Sequence, residues 1–388
     1  MRSLAELLAD DRGVAFLEQR GVFVDDDAFA SELREPERAD LAGLLGLEPD
    51  CRLVYVGQQV CADLGAATAA KFATARDAAD RQAVTVAVLW HDMDSTQSER
   101  YGARVVLPSQ KKTRGVWLID RELEDHEPRF VPVDREHLEA VVMDIASWAR
   151  SSVGVDRRVA RARMSLLSDA LLDDRVATLA DANRAIVSLL LREELGLEAP
   201  DTFASEMIAH GLLVDSVAEY VSAIEEVVPV FNEAIERLAA EDVDPQLRPL
   251  PPDYLPLRFS CPKDGTRLRL SREVRGDSVH ATATCRCHTR YEFDLGRDAT
   301  GLGELGRTGR WSIDVSMPVH HNDLASGWVA GRSGGLYAIA FNEVLERVFA
   351  RRPIPVLVPR ELPADSEAES SLLVRWLVGR RAEAASAT

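Results

Sequence analysis

Two short apolar runs constrain this chain most. "LVYVGQQ" (Leu53–Gln59) and "VTVAVLW" (residues 84–90) are rich in β-branched and aromatic residues, with no polar alternation in their apolar parts. Unbroken apolar runs of this length are the pattern of strands buried on both faces. Between them lies "DLGAATAAKFATARDAADRQA", whose alanine content predicts a helix. Strand, helix, strand is a βαβ unit, and parallel strands need such a crossover because a tight hairpin joins only antiparallel ones. The chain is therefore expected to build a parallel sheet with helices on its faces.

The remaining pattern surrounds that unit. Residues 1–50 repeat apolar and charged residues at helical spacing, as in "SLAELLADDRGVAFLEQ". "ARVVLP" and "RGVWLI" are candidates for further strands. From residue 134 to 245, segments such as "REHLEAVVMDIASWARSS", "LADANRAIVSLLLREELGL" and "SVAEYVSAIEEVVPVFNEAIERLAAE" carry apolar residues near a 3.6-residue period. This predicts a helical block, closed by the proline cluster "LRPLPPDYLPLRF". Residues 258–296 read as a small β-rich module with cysteines at both ends. "RWSIDVSMPV" resumes a strand-like pattern, "AGRSGGLYAIAFNEVLERVFARR" is a glycine-rich turn opening a helix, and "PIPVLVP" is another strand. In the tail, "SSLLVRWLVGRR" predicts one amphipathic helix.

Composition narrows the function classes. At 388 residues the chain exceeds one simple core. A net charge of -18 argues against a broad nucleic-acid surface, which needs a basic patch. No apolar run approaches the ~20 residues that span a bilayer. The opening "MRSLAELLADDRG" is too acidic for a signal peptide, so a cytoplasmic location is expected. Lysine occurs only at Lys71, Lys111, Lys112 and Lys263, which raises the interest of each. Five cysteines, an odd number, argue against a disulfide framework.

Parallel sheets bind ligands in the crevice at the carboxyl ends of their strands. Gly57, Gln58 and Gln59 end the first run. The glycine permits close backbone approach, and each carboxamide offers donors and an acceptor. Alone, these three residues fit a turn that caps the next helix; the neighbouring strand tip favours a binding site. His91, Asp92 and Asp94 follow the second run. Carboxylates there can hold an amino group, and His91 can move a proton near neutral pH. A solvated acidic loop is the competing reading, and Ser95 and Thr96 are lesser candidates. Lys71, on the predicted helix, is either an anion partner or, as favoured, part of a solvated face. Gly331, Arg332, Ser333, Gly334 and Gly335 precede a helix, where backbone N–H groups and an arginine can hold an anion. A tight strand-to-helix turn explains those glycines as well. His320, His321, Asn322 and Asp323 add polar groups just upstream.

The metal question is sharper. Cys261-Pro262-Lys263-Asp264-Gly265 and Cys285-Arg286-Cys287-His288 have the look of two ribbon knuckles, with aspartate in place of one cysteine. Four ligands can be assembled from Cys261, Asp264, Cys285 and either Cys287 or His288. Four protein ligands leave no open position, so a structural zinc is expected. A ribbon held by its own small core is the alternative.

"VYVGQQVCADLGAATAAKFATA" resembles the bacillithiol-biosynthesis cysteine-adding enzyme family, in which a strand ending in G-Q-Q leads through a glycine-rich turn into a helix. In that family the next strand ends in an acidic, histidine-containing cluster, the place of His91-Asp92-Met93-Asp94 here. "VAGRSGGLYAIAFNEVL" and "IPVLVPR" are similar to a later segment of the same family. A second resemblance overlaps the first. "CPKDGTRLRL", "TATCRCHTRYEFDLG" and "GRTGRWSIDVSMPV" are similar to the zinc-containing insertion of class I lysyl-tRNA synthetases. The HIGH-type and KMSKS-type synthetase signatures are absent, with "CADLGAATA" in the place of the first.

Together the resemblances imply an α/β fold, a split Rossmann-like parallel sheet of the class I synthetase type. The expected organisation is an N-terminal helical arm (1–50), the first half of the core (51–133), a helical insertion (134–250), a zinc-ribbon-like module (251–300), the second half of the core (301–362), and a tail with its helix (363–388). The implied activity is a ligase joining an amino acid, cysteine in the resembled family, to a small-molecule acceptor. Zinc is the implied structural metal; use of ATP or another nucleotide stays open, because the synthetase signatures are missing. The alternatives are a synthetase-related enzyme lacking its tRNA-reading parts and a non-catalytic binding protein on a decayed core. The partners expected are small molecules, without tRNA or membrane, and homo-oligomerisation stays open.

Overall fold

A computed structural model describes residues 1–95, 102–108, 113–123, 126–152, 155–297, 299–314, 318–363 and 371–379. The chain divides into two compact units. The first comprises Met1–Gln58, Thr74–Met93 and Ala199–Leu362; the second comprises Gln59–Ala73, Asp94–Glu198 and Pro363–Thr388. In chain order the strands are β1 (Val22–Phe23), β2 (Leu53–Gln59), β3 (Thr85–His91), β4 (Arg104–Pro108), β5 (Thr113–Trp117) and β6 (Asp201–Phe203). They continue with β7 (Tyr254–Ser260), β8 (Arg267–Arg275), β9 (Ser278–Thr284), β10 (Arg290–Gly296), β11 (Trp311–Ile313), β12 (Gly327–Val329) and β13 (Val356–Leu357).

The first unit is built on a six-stranded sheet in the order β1-β13-β12-β2-β3-β6. β1 with β13, β13 with β12, β12 with β2 and β3 with β6 all pair in parallel. The two long strands are central, and their apolar residues are buried without alternation, as a sheet covered on both faces requires. The helix Ala66–Arg81 makes the crossover between them. The architecture is thus mixed α/β with a parallel sheet, as the two apolar runs require.

A second sheet in the same unit is antiparallel, in the order β10-β9-β8-β7-β11. It carries the cysteine-bearing module, and its inward residues Leu257, Phe259, Leu268, Leu270 and Trp311 share a core with residues of the parallel sheet such as Tyr55 and Trp328. Three strands sit elsewhere than the sequence pattern implies. β1, inside the expected helical arm, is an edge of the parallel sheet; β6, inside the expected helical insertion, is its other edge. β11, expected to open the second half of the core, pairs with β7 of the antiparallel sheet.

The second unit is mainly helical. The helices Arg135–Ser151, Arg157–Leu171 and Leu179–Leu195 pack in sequence, and Leu372–Val378 packs on the last two. Asp134 and Asp156 cap the first two, and Thr178 with Asp181 forms a capping box on the third. β4 and β5 form a separate antiparallel hairpin here rather than extending the parallel sheet.

Candidate functional site

In the first unit, the carboxyl ends of β2 and β3 bring Gly57 and His91 together. A methyl group at position 57 would lie 3.0 Å from His91 Nε2, so the glycine gives the imidazole its room. Gln58 follows at the same strand end and is half-buried. Across the sheet face, the His91 ring lies 6.4 Å from that of His321, and His321 lies 5.1 Å from Tyr55. Tyr55 stacks on Trp328 of the neighbouring strand β12 at 5.8 Å.

His320 and His321 end the turn Pro318–His321 and are almost wholly buried. Burial pushes the His321 imidazole down to about 3, and the nearby His91 adds to the effect. His320 falls to about 3 for the same reason, with His321 adding and Asp314 opposing. Both rings are therefore neutral at physiological pH. His320 Nδ1 pairs with Ser216 Oγ at 2.9 Å. Neither ring nitrogen of His321 has a hydrogen-bond partner among the described residues. A neutral imidazole offers one donor and one acceptor, so this ring retains both for an incoming group or water.

Asp92 is buried and accepts the backbone N–H of Ser205 at 3.1 Å and the Ser205 hydroxyl. Those bonds tie the end of β3 to the first turn of the helix Ala204–Ala209. Asp92 thus has a structural task that its place in the sequence did not reveal.

The glycine-rich loop behaves similarly. Gly331 caps the helix Arg332–Arg347 with a backbone φ of -89°, so it needs no glycine-specific conformation. A Cβ on Gly334 would meet Ala330 at 3.0 Å, and one on Gly335 would meet Val358 Cγ1 at 2.6 Å. These two glycines let the helix lie close on the sheet. Ser333 Oγ donates to Gln246 at 2.7 Å, and Arg332 is half-buried.

The second unit holds Gln59, Lys71 and Asp94. Gln59 Nε2 donates to the Ser95 carbonyl at 3.0 Å, and the Asp94 carboxylate accepts the Ser95 N–H at 2.8 Å. Thr96 lies outside the described residues. Lys71 is not on a solvated face: it is only 5% exposed. Burial pushes its ammonium down to about 7, with Cys61 acting in the opposite direction. Asp63, which the sequence did not single out, is wholly buried. Burial raises its carboxyl to about 6 against hydrogen bonds from Ser371, Leu373 and Leu64. The one sequence signal for it was an acid set among small apolar residues. Asn183 was also missed; it is buried and donates to the carbonyls of Gly102 and Val60.

The cysteine module gathers Cys261, Asp264, Cys285 and Cys287, whose ligand atoms all lie within 4.8 Å of one another. Cys261 Sγ is 3.7 Å from Cys287 Sγ, and Cys285 Sγ is 3.2 Å from both Asp264 oxygens. Tetrahedral zinc with sulfur at about 2.3 Å requires ligand separations of roughly 3.8 Å, so the donor set fits that ion. This group can hold a metal. His288 is not in it. His288 has a φ of +61° and donates its backbone N–H to the Cys285 carbonyl at 2.9 Å. In the other knuckle Gly265, at φ +73°, makes the same kind of bond to Cys261. His288 is therefore the turn residue of its knuckle, and the fourth donor is Cys287.

No protein-family model matches the chain, and a search of curated proteins gave no match.

Proposed function

We propose that this chain is a synthetase-like enzyme that joins an amino acid to a small-molecule acceptor. The observation that carries this reading is His91 set over Gly57 at the carboxyl ends of adjacent parallel strands, with the unsatisfied His321 behind it. That end of a parallel sheet is where ligands bind. A half-buried imidazole there suits removal of a proton from an attacking amine, thiol or hydroxyl. Gln58 is suited to holding the carboxylate or amine of the amino acid. Cysteine as that amino acid rests on the resemblance of the G-Q-Q segment to the bacillithiol-biosynthesis enzymes, and whether ATP activates it is what the exchange assay below decides. Zinc is the ion we assign to the four-ligand cluster, as a structural element of the ribbon.

A second reading is favoured by one observation: Asp92 is engaged by Ser205. That fits a binding protein on a core that has lost its chemistry. Amino-acid-dependent ATP–pyrophosphate exchange with each of the twenty amino acids separates the two. A signal with one amino acid is the expected result; because the acceptor attacks only after activation, His91→Ala in a folded protein should keep that exchange and cut transfer of the activated amino acid to an added amine or thiol acceptor about a hundredfold or more. Silence with all twenty, together with calorimetric binding of one, would replace it with the binding-protein reading.

A further inference from the structure

The second unit carries a feature that this function does not use. A recess of about 390 Å³ opens between the helices Arg135–Ser151 and Arg157–Leu171. This is within the usual range for small-ligand sites, about 300–1,000 Å³. Arg150, Arg157 and Arg161 line it and are exposed. None of the three makes an ion pair or hydrogen bond through its side chain among the described residues. Elsewhere in the same unit Arg114, Arg135 and Arg175 each hold an aspartate. In a chain of net charge -18, these three arginines around one hollow have no acidic partner among the described residues. Arg157 also stands in the first helical turn, where the helix dipole disfavours a cation. The adjacent Asp156 is occupied in capping the N–H groups of Arg158 and Val159.

The floor has a different chemistry. It is formed by Ala146, Ala149, Ala160 and Met164. Alanines leave the space, and methionine adapts to an irregular apolar ligand. Among the described residues no aromatic lines the recess on which a nucleic-acid base would stack, and it is one hollow, not a track for successive phosphates.

From this rim and floor we infer that the recess binds a small amphipathic anion, an acyl carboxylate or alkyl phosphate, with its head among the arginines and its chain on the alanine–methionine floor. The inference stands independently of the proposed ligase activity.

The test is calorimetric titration of the full chain with decyl phosphate and with decanoate, each below its aggregation concentration. The expected result is one site per chain for at least one of them, and the tighter one names the head group. Inorganic phosphate and decyltrimethylammonium should bind at least about tenfold more weakly, since each lacks one half of the recognition. The double substitution Arg150→Ala/Arg161→Ala should weaken binding about tenfold or more, and Ala146→Leu should do so by filling the hollow. The arginines are exposed, so the double variant is expected to fold even where the filled one does not; circular dichroism checks both. Equal binding of decyltrimethylammonium, unchanged binding in the folded double variant, or tighter binding of an oligonucleotide or polyglutamate would each overturn the inference.

Discussion

His321 is buried with neither ring nitrogen satisfied among the described residues, and this gives it a pH signature. Above its ordinary value of 6.5, neither the folded nor the unfolded chain protonates it. Between 6.5 and about 3, the unfolded chain takes up a proton that the folded chain refuses, so stability falls as pH falls. His320 behaves alike. At about pH 5 the loss is about 2 kcal/mol per histidine. Asp63 has the opposite sign, adding stability as pH falls from about 6 towards 3.8. His321→Asn should therefore flatten the acid side of a urea-midpoint curve taken from neutral pH to about pH 5. An unchanged slope would refute the burial argument. Two glycines separate site from scaffold at the same scale. Gly335→Ala drives a methyl into Val358 and should cost about 1–3 kcal/mol in thermal or urea denaturation. Gly57→Ala crowds only the His91 ring, so it should cut activity while leaving stability nearly unchanged. Equal stability losses in the two variants would make Gly57 a packing residue.

At the scale of elements, the two knuckles explain which side chains can reach a metal. In each, a residue with positive φ turns the chain back on the first cysteine: Gly265 in one, His288 in the other. A turn residue bonded through its backbone in this way stands outside the four-donor cluster. If the cluster holds the zinc we assign to it, Cys285→Ala should abolish that zinc, measured by elemental analysis against the unsubstituted chain, and lower the melting temperature. His288→Asn should keep the metal, because asparagine tolerates the left-handed conformation. Loss of zinc in the His288 variant with retention in Cys287→Ala would reverse the assignment. The same scale accounts for the glycine-rich loop. Its sequence suits an anion cradle, whereas Gly334 and Gly335 are spent on close packing of helix against sheet.

At the scale of the molecule, no helix among the described residues is long and apolar enough to cross a membrane. The net charge of -18 leads us to expect no measurable binding of mixed tRNA at physiological salt, read by fluorescence anisotropy. Salt-sensitive binding in the micromolar range would revive the synthetase-related alternative. What the sequence determined by itself is the part of the fold with a long, unambiguous pattern. β2, the helix Ala66–Arg81 and β3 follow from two unbroken apolar runs around an alanine-rich stretch, and a helix between two strands buried on both faces is the pattern of a parallel crossover. The knuckles were legible because their ligands are close in sequence. Tertiary structure alone decided the rest. β1, β6 and β11 are two or three residues long, too short to show a period, and pairing with distant strands is what makes them strands. The meeting of His91 with His321 joins residues far apart in the chain. The burial of Lys71 and Asp63, the engagement of Asp92 by Ser205 and the choice of Cys287 over His288 likewise depend on which way a side chain faces once its neighbours are in place. Spacing along the chain cannot encode that direction where no repeating pattern exists.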